Sequence, residues 1–472
     1  MQNSRILSCT IVLVGLAAAA EFSLGEAAAQ PTVPEPFILM YGHSDDDGVD
    51  EEFRKLLPRF TAVEGTSRDA AFIKEIRNLG VVYAAHVVNP VTATEEQLVE
   101  IWSAPFNDTL GGELPDGYEA IAIDELRDNP NGTEQSGRVC GALQKVQQAF
   151  PKKLIFAAAT WHLGHPGHSA RNSEQLHAVN KYADVLMLES YQREANFAYR
   201  NLAKYAAQID VYPGLLEKTV IGLGIAQDGR VCGGGHLFDD SPDKGFLGCL
   251  DYQLHTIRND PIASRMPGVM FWVYYRAEIH ITPDFVARLC DHYYFKGQQT
   301  PLGDGRFAQF ISNPIFAQGI QGWDLEGGDG GFLGLFDYDS EKGIRNQNRS
   351  SKFTQHAAKG LKMVRGATSN RASFKQSGID TRFVHVVSAF VRPGSGESAT
   401  AKVAILDVTG TEIATQKVNL SHREPPQDWR RIIFKFVPTT PTIHIVLSDD
   451  QNAEGATLYW DFVELEDAYP VE

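Results

Sequence analysis

No CxxC pair occurs anywhere in these 472 residues, so the spacing that marks a zinc ribbon or a redox dithiol is missing. Positive charge is short as well: 43 Lys and Arg stand against 59 Asp and Glu, a formal net charge of -16. No cluster of Lys or Arg breaks that acidity, and a nucleic-acid partner is excluded because a phosphate backbone needs a basic face. Beyond the N-terminus no run of about 18 apolar residues occurs, so no segment is expected to cross a membrane. No GxGxxG follows the first strand pattern, and GLGIAQDG (222–229) is only a strand containing glycines, which removes a dinucleotide site. What remains is 43% hydrophobic and 22% charged, enough to bury more than one core.

The first 29 residues read as an export leader. Arg5 is the short basic region, Ile11 to Ala20 the apolar segment, and Ala27-Ala28-Ala29 a small-residue cleavage site before Gln30. Cys9 precedes the apolar segment, whereas a lipoprotein cysteine follows it. The expected product is a secreted, monomeric protein that needs no cofactor. Of the cysteines left, Cys232 and Cys249 flank a glycine-rich loop that a disulfide would pin in an oxidising compartment. Cys140 and Cys290 fall on helices on opposite sides of the expected fold and should stay unpaired.

Between residues 37 and 275 eight short apolar runs alternate with helix-length stretches: 37–44, 60–65, 81–88, 119–125, 153–162, 184–191, 219–227 and 268–276. Helical marks lie between them. Ser67 is the expected N-cap and Gly80 the stop of SRDAAFIKEIRNLG, Thr92 or Thr94 opens TATEEQLVEIWSA, and 173–183 and 281–294 behave alike. Eight strand-helix units in about 260 residues are the arithmetic of an α/β fold, the (β/α)8 TIM barrel, here placed at 30–300.

After residue 297 the pattern changes to strands joined by Gly, Pro, Asn and Asp turns. The opening NPIF...GWDLE and the closing LYWDFVELED resemble the jelly-roll or galactose-binding-like β-sandwiches appended to many secreted carbohydrate enzymes. That resemblance covers 307–472 and implies a carbohydrate-binding-module-like domain, either binding sugar or serving as a structural partner of the barrel.

Reactions in a parallel barrel occur at the C-terminal strand ends. The ends here offer Tyr41 and His43 on strand one, Glu64 on strand two, His86 and Asn89 on strand three, and Asp124 and Glu125 on strand four. Trp161 and His162 end strand five, Glu189, Tyr191 and Gln192 strand six, Gln227 strand seven, and Trp272, Tyr274 and Arg276 strand eight. Carboxylates ringed by aromatics and histidines suit a polysaccharide, because sugar faces pack on rings while hydroxyls need polar partners. Glycosidic cleavage takes two carboxyl groups. On strand four, bulky Ile121 and Ile123 belong against the helices, which turns Ala120, Ala122 and Asp124 inward. Asp124 is the expected nucleophile, Glu189 the acid/base and Glu125 the substitute for either, with the other strand-end residues as substrate contacts. The plain alternative is that a strand has reached solvent and its acids cap a helix or pair with loop cations such as Arg127.

The whole barrel resembles TIM-barrel glycoside hydrolases. GYEAIAIDE departs from the chitinase-like DxxDxDxE, and GLGIAQDG departs from the retaining clan with Glu on strand seven. Asp on strand four with Glu on strand six is similar to some endo-fucanases, and the acid ending strand four is similar to polygalactosaminidase and spherulin-like barrels. Two other readings use different residues. HLGHPGH (162–168) with Asp45 to Asp47 would make a metal-dependent polysaccharide deacetylase, although nothing sets the three rings on one face. A secreted sugar-binding protein without chemistry is the second. HSDDDGVDEEF fails as an EF-hand, since its glycine register puts His43 first and Arg54 last.

Overall fold

A computed structural model describes residues 32–43, 54, 56–126, 134–160, 169–189, 202–224, 246–272, 281–303, 310–314, 316–337, 359–394, 396–421 and 429–471. The stretch expected to be a leader lies outside these residues. So do Arg127, the loop 161–168, and Cys232 of the expected disulfide. Cys290 is a buried free thiol, and the Cys140 thiol donates to the Glu174 carbonyl at 3.6 Å.

Eight parallel strands close into a barrel in chain order: β1 (Phe37–His43), β2 (Ala62–Gly65), β3 (Val82–Val87), β4 (Ala120–Ile123), β5 (Leu154–Thr160), β6 (Val185–Glu189), β7 (Thr219–Gly224) and β8 (Gly268–Trp272). Among the described residues an α-helix follows each strand from β2 on: α1 (Ala70–Asn78), α2 (Glu95–Asn107), α3 (Glu134–Ala149), α4 (Ser169–Tyr182), α5 (Leu202–Asp210), α6 (Phe246–Asn259) and α7 (Ile281–Cys290). Two helix starts show how side chains set the boundaries. Asp69, not Ser67, caps α1, its Oδ1 accepting from the amides of Ala71 and Phe72, because Ser67 is spent one step earlier on the Asp69 amide. At α2, Thr94 and Gln97 form a reciprocal capping box. Gly80, at φ 75°, does end α1. The stretch expected as one helix over 281–294 is α7 followed by a wider π-turn from Asp291 to Phe295.

Alternation sorts the strand residues into two cores. Ile121 and Ile123 of β4, with Leu186 and Leu188 of β6, join the layer under the helices. Ala120 and Ala122, with Val185 and Met187, join the barrel interior, along with Leu39 and Tyr41, Ala62, Ala84, Phe156, Ala158, Val220 and Met270. Small residues on β2 to β4 leave room for large ones elsewhere: the Phe37 and Phe156 rings meet edge-to-face inside, centroids 5.1 Å apart. The barrel closes where Phe37 of β1 pairs with Gly268 of β8. A Cβ at Gly268 would lie 1.7 Å from the Phe37 carbonyl oxygen, and backbone cannot yield as a side chain would. Gly268→Ala is therefore expected to destabilise by about 1–3 kcal/mol or more. An unchanged denaturation midpoint would show that the strands do not approach this closely.

The second half holds two five-stranded antiparallel sheets. Their strands are β9 (Trp323–Glu326), β10 (Phe332–Asp337), β11 (Lys359–Val364), β12 (Arg371–Ser377), β13 (Phe383–Pro393), β14 (Ser398–Asp407), β15 (Glu412–Ser421), β16 (Arg430–Phe436), β17 (Thr442–Ser448) and β18 (Thr457–Pro470). One sheet runs β10-β11-β18-β13-β16 and the other β15-β14-β17-β12-β9. β10, β11 and β12 carry no clear strand signal in the sequence, since glycines interrupt the first two and β12 buries only Ala372 and Phe374. Gly360 is needed there, because a Cβ would sit 2.5 Å from the Phe336 ring.

The faces of these sheets have different fates. Val387, Ala389, Leu458 and Trp460 meet Ala401, Val403, Ile443 and Ile445 in the sandwich core. The opposite face of the first sheet carries Phe336, Val386, Phe390, Ile433, Tyr459 and Phe462, which belong to one hydrophobic cluster with the barrel's helical layer. Glu466 Oε2 on β18 accepts the buried amide of Gly248 in α6 at 3.1 Å, and Lys435 on β16 pairs with Asp284 of α7 at 3.3 Å. The outer face of the second sheet presents residues such as Thr400, Lys402, Thr415, Lys417, His444 and Ser373, with no Phe, Tyr or Trp. The aromatic face that would suit sugar stacking is the one the barrel covers.

Candidate active site

The inward parity of the interior residues continues to the C-terminal strand ends, one step above the last apolar layer. It brings Tyr41 on β1, Glu64 on β2, His86 on β3, Asp124 after β4, Glu189 on β6 and Trp272 on β8 to one rim. Trp272 is half-buried and packs against both the interior and the helical layer. Glu189 is 9% exposed and pairs in register with Gly222 of β7.

Four of these side chains form a connected group. The Tyr41 hydroxyl donates to Asp124 Oδ1 at 2.8 Å, although three strand positions separate β1 from β4. Glu64, 1% exposed, holds His86 Nδ1 at 2.6 Å. The Tyr41 and His86 rings meet edge-on, centroids 6.4 Å apart. Register explains the assembly. His86 pairs with Ala122, and the Asp124 amide extends that ladder past the strand end to the Val87 carbonyl at 2.8 Å, so His86 and Asp124 are neighbours on the same face. On the helical side, the buried Trp102 of α2 donates its indole N–H to the Val88 carbonyl at 3.1 Å and fixes where β3 leaves the barrel.

The electrostatics follow from that geometry. The hydrogen bond that His86 donates to Glu64 raises its pKa above the ordinary histidine value, burial opposes it, and the charges of Glu64 and Asp124 add to the rise. An imidazolium is thus favoured beside Asp124. Among the described residues Asp124 Oδ2 and His86 Nε2 make no hydrogen bond, which leaves an acceptor and a ring nitrogen for a ligand. Glu64 is expected to touch substrate; its Oε1 is hydrogen-bonded to His86 Nδ1, so one of its two carboxylate oxygens acts on the imidazole.

Glu125 departs from simple alternation. Its φ is 39°, a left-handed value that a non-glycine residue adopts at a cost of about 1–3 kcal/mol. The Leu126 amide then reaches the Ala158 carbonyl at 2.8 Å, and Leu126 takes the place under the helices that strict alternation assigns to Glu125. Asn89 Nδ2 donates to the Glu125 carbonyl at 3.1 Å and holds the kink, while its own buried Oδ1 makes no hydrogen bond. Neither the kink nor the Tyr41 contact has a signal in the sequence beyond the polarity of the residues involved.

Of the other expected contacts, Trp161, His162, Tyr191, Gln192, Gln227, Tyr274, Arg276 and the His43 side chain lie outside the described residues, as do Asp45 to Asp47. Among the described residues no three His, Cys, Asp or Glu side chains gather as metal ligands.

Fold and rim together define a class: a parallel (β/α)8 barrel with acids at its strand ends, followed by an antiparallel β-sandwich. No family model and no curated protein matches the chain. The solved structures similar to it are carbohydrate-binding modules and glycoside hydrolases. The carbohydrate-binding module TmCBM61, in complex with β-1,4-galactotriose, is 14% identical, over 34% of this chain and 98% of its own, with a TM-score of 0.27. The CBM22-1 xylan-binding domain of Paenibacillus barcinonensis Xyn10C is 16% identical over 34% of this chain and 96% of its own, TM-score 0.25. Active domain 2 of a thermostable chitinase from Pyrococcus furiosus is 12% identical over 52% of this chain and 85% of its own, TM-score 0.35. Identities and scores this low leave the chemistry to be argued from the residues.

Proposed function

We propose that the protein is a secreted glycoside hydrolase that cleaves a polysaccharide internally with retention of configuration, Asp124 acting as nucleophile and Glu189 as acid/base. The observation that carries this reading is the setting of Asp124. Oδ1 accepts from the Tyr41 hydroxyl at 2.8 Å, which fixes the side chain at the strand end beside His86 and turns Oδ2 toward a ligand. In the first half-reaction Glu189 gives its proton to the leaving glycosidic oxygen as Asp124 Oδ2 bonds to the anomeric carbon. Water then attacks that carbon, Glu189 takes the proton, and the glycosyl-aspartate bond breaks. Tyr41 keeps Oδ1 oriented through both steps, and Trp272 offers a ring for a sugar face. The sequence is long between β4 and α3, β5 and α4, and β7 and α6, and that length favours internal cleavage.

The test is incubation with a panel of polysaccharides, reading new reducing ends and released acetate separately. Reducing ends are expected. Acetate alone would support a deacetylase, and neither product a binding protein. NMR of the first-formed anomer is expected to show retention, because strands β4 and β6 have only β5 between them and a carboxyl spacing of about 5–5.5 Å leaves no room for an intervening water. An inverted first product would remove Asp124 as nucleophile.

A further inference from the structure

Glu64 is the most buried acid at the rim, and direct catalysis has no use for it. It lies on β2 beside Ala84 in register, one layer below His86, and its side chain rises to bond Nδ1. A carboxylate on Nδ1 settles the ring: Nδ1 carries hydrogen, and Nε2 is left as the outward atom. Whether Nε2 then donates or accepts depends on charge alone. As imidazolium it is a donor, and as the neutral ring it is a lone pair.

We propose that Glu64 is a positioning residue for the hydrolysis, holding His86 so that Nε2–H serves as a fixed donor to a substrate oxygen next to Asp124. The substrate group it would take is an acceptor oxygen, a sugar hydroxyl or a carboxylate or sulfate on the ring beside the cleaved bond. The described groups facing His86 are Glu64 from β2, Asp124 from β4 and Tyr41 from β1. Two of them are acids, and Tyr41 is an uncharged ring set at 63° to the imidazole, so none of these three carries a positive charge. Glu64→Gln keeps the size and the hydrogen-bonding reach and removes the charge. With the amide oxygen on Nδ1–H, the donor at Nε2 is lost at neutral pH and recovered when acid protonates the ring, while an amide N–H donating to Nδ1 would keep Nε2–H on a neutral ring, a tautomer that the ring nitrogen shifts identify.

This inference rests on the proposed hydrolysis, but its primary test does not. NMR titration of the His86 ring in the full chain, without substrate, is expected to show protonation persisting above the range of a free histidine. In Glu64→Gln the midpoint should fall by about 1–3 pH units. A wild-type ring that titrates like free histidine overturns the proposal even if Glu64→Gln fails to fold, and so does a midpoint the substitution leaves in place. In the kinetic arm, the alkaline limb of kcat/KM for Glu64→Gln should move to lower pH by the same amount, with acid pH restoring activity. A loss uniform across pH would mean that Glu64 is only structural. If no polysaccharide is cleaved, the NMR result still stands or falls by itself.

Discussion

Asp124→Asn is expected to lower kcat by about 10²–10⁴-fold or more while leaving the fold and oligosaccharide affinity intact. The amide is nearly isosteric and its oxygen can still accept from Tyr41, so the geometry is kept and only the charge and the nucleophile are removed. Glu189→Gln should lose as much on a natural polysaccharide, but far less on an aryl glycoside whose leaving group departs without a proton. That split separates the two roles. Steady-state kinetics on both substrates, with calorimetric binding to the same variants, makes the comparison. Full activity in Asp124→Asn would take that residue out of the site, and equal losses on both substrates for Glu189→Gln would deny it the acid role.

The second large effect concerns folding. A chain ending at residue 303 would expose the barrel surface now shared with Phe336, Phe390, Tyr459 and Phe462, and would strand the buried Gly248 amide that Glu466 accepts. Each apolar side chain of that size contributes about 1.5–3 kcal/mol when buried, and a domain's whole margin is only about 5–15 kcal/mol. The truncated barrel is expected to be insoluble or unfolded, and the intact protein to melt in one calorimetric transition. A soluble barrel melting reversibly at the temperature of the full chain would show that the shared face contributes little. The same burial covers the sheet face that carries Phe336, Phe390, Tyr459 and Phe462, and among the described residues the outer face of the second sheet carries no Phe, Tyr or Trp.

How much of this was legible in the sequence differs from element to element, for reasons of range. The number of barrel strands and their order could be read, because a buried parallel strand writes itself as a short apolar run and a βαβ crossover needs a helix between runs. The inward direction of Asp124 could be read too, since a period of two needs only Ile121 and Ile123 as bulky neighbours. These are local properties of the chain. The N-cap of α1 was misplaced by two residues because Ser67, Asp69 and their amides compete over a few ångströms, and sequence alone does not rank them. β10 to β12 carry no strand pattern of their own because each is held by its neighbours: Phe336 lies over Gly360, and Phe374 pairs with Trp323.

At the rim, local pattern supplied the candidates and tertiary structure decided their relations. Nothing along the chain says that Tyr41 reaches Asp124, 83 residues away, or that Glu64 bonds His86. Those meetings depend on the register between strands and on where each strand leaves the barrel, which packing such as Trp102 against the Val88 carbonyl sets. The positive φ of Glu125 is of the same kind. Alternation alone would send Glu125 toward the helices, but Leu126 fills that place, and burying a leucine, about 1.5–3 kcal/mol, offsets strain of about 1–3 kcal/mol at the residue beside Asp124.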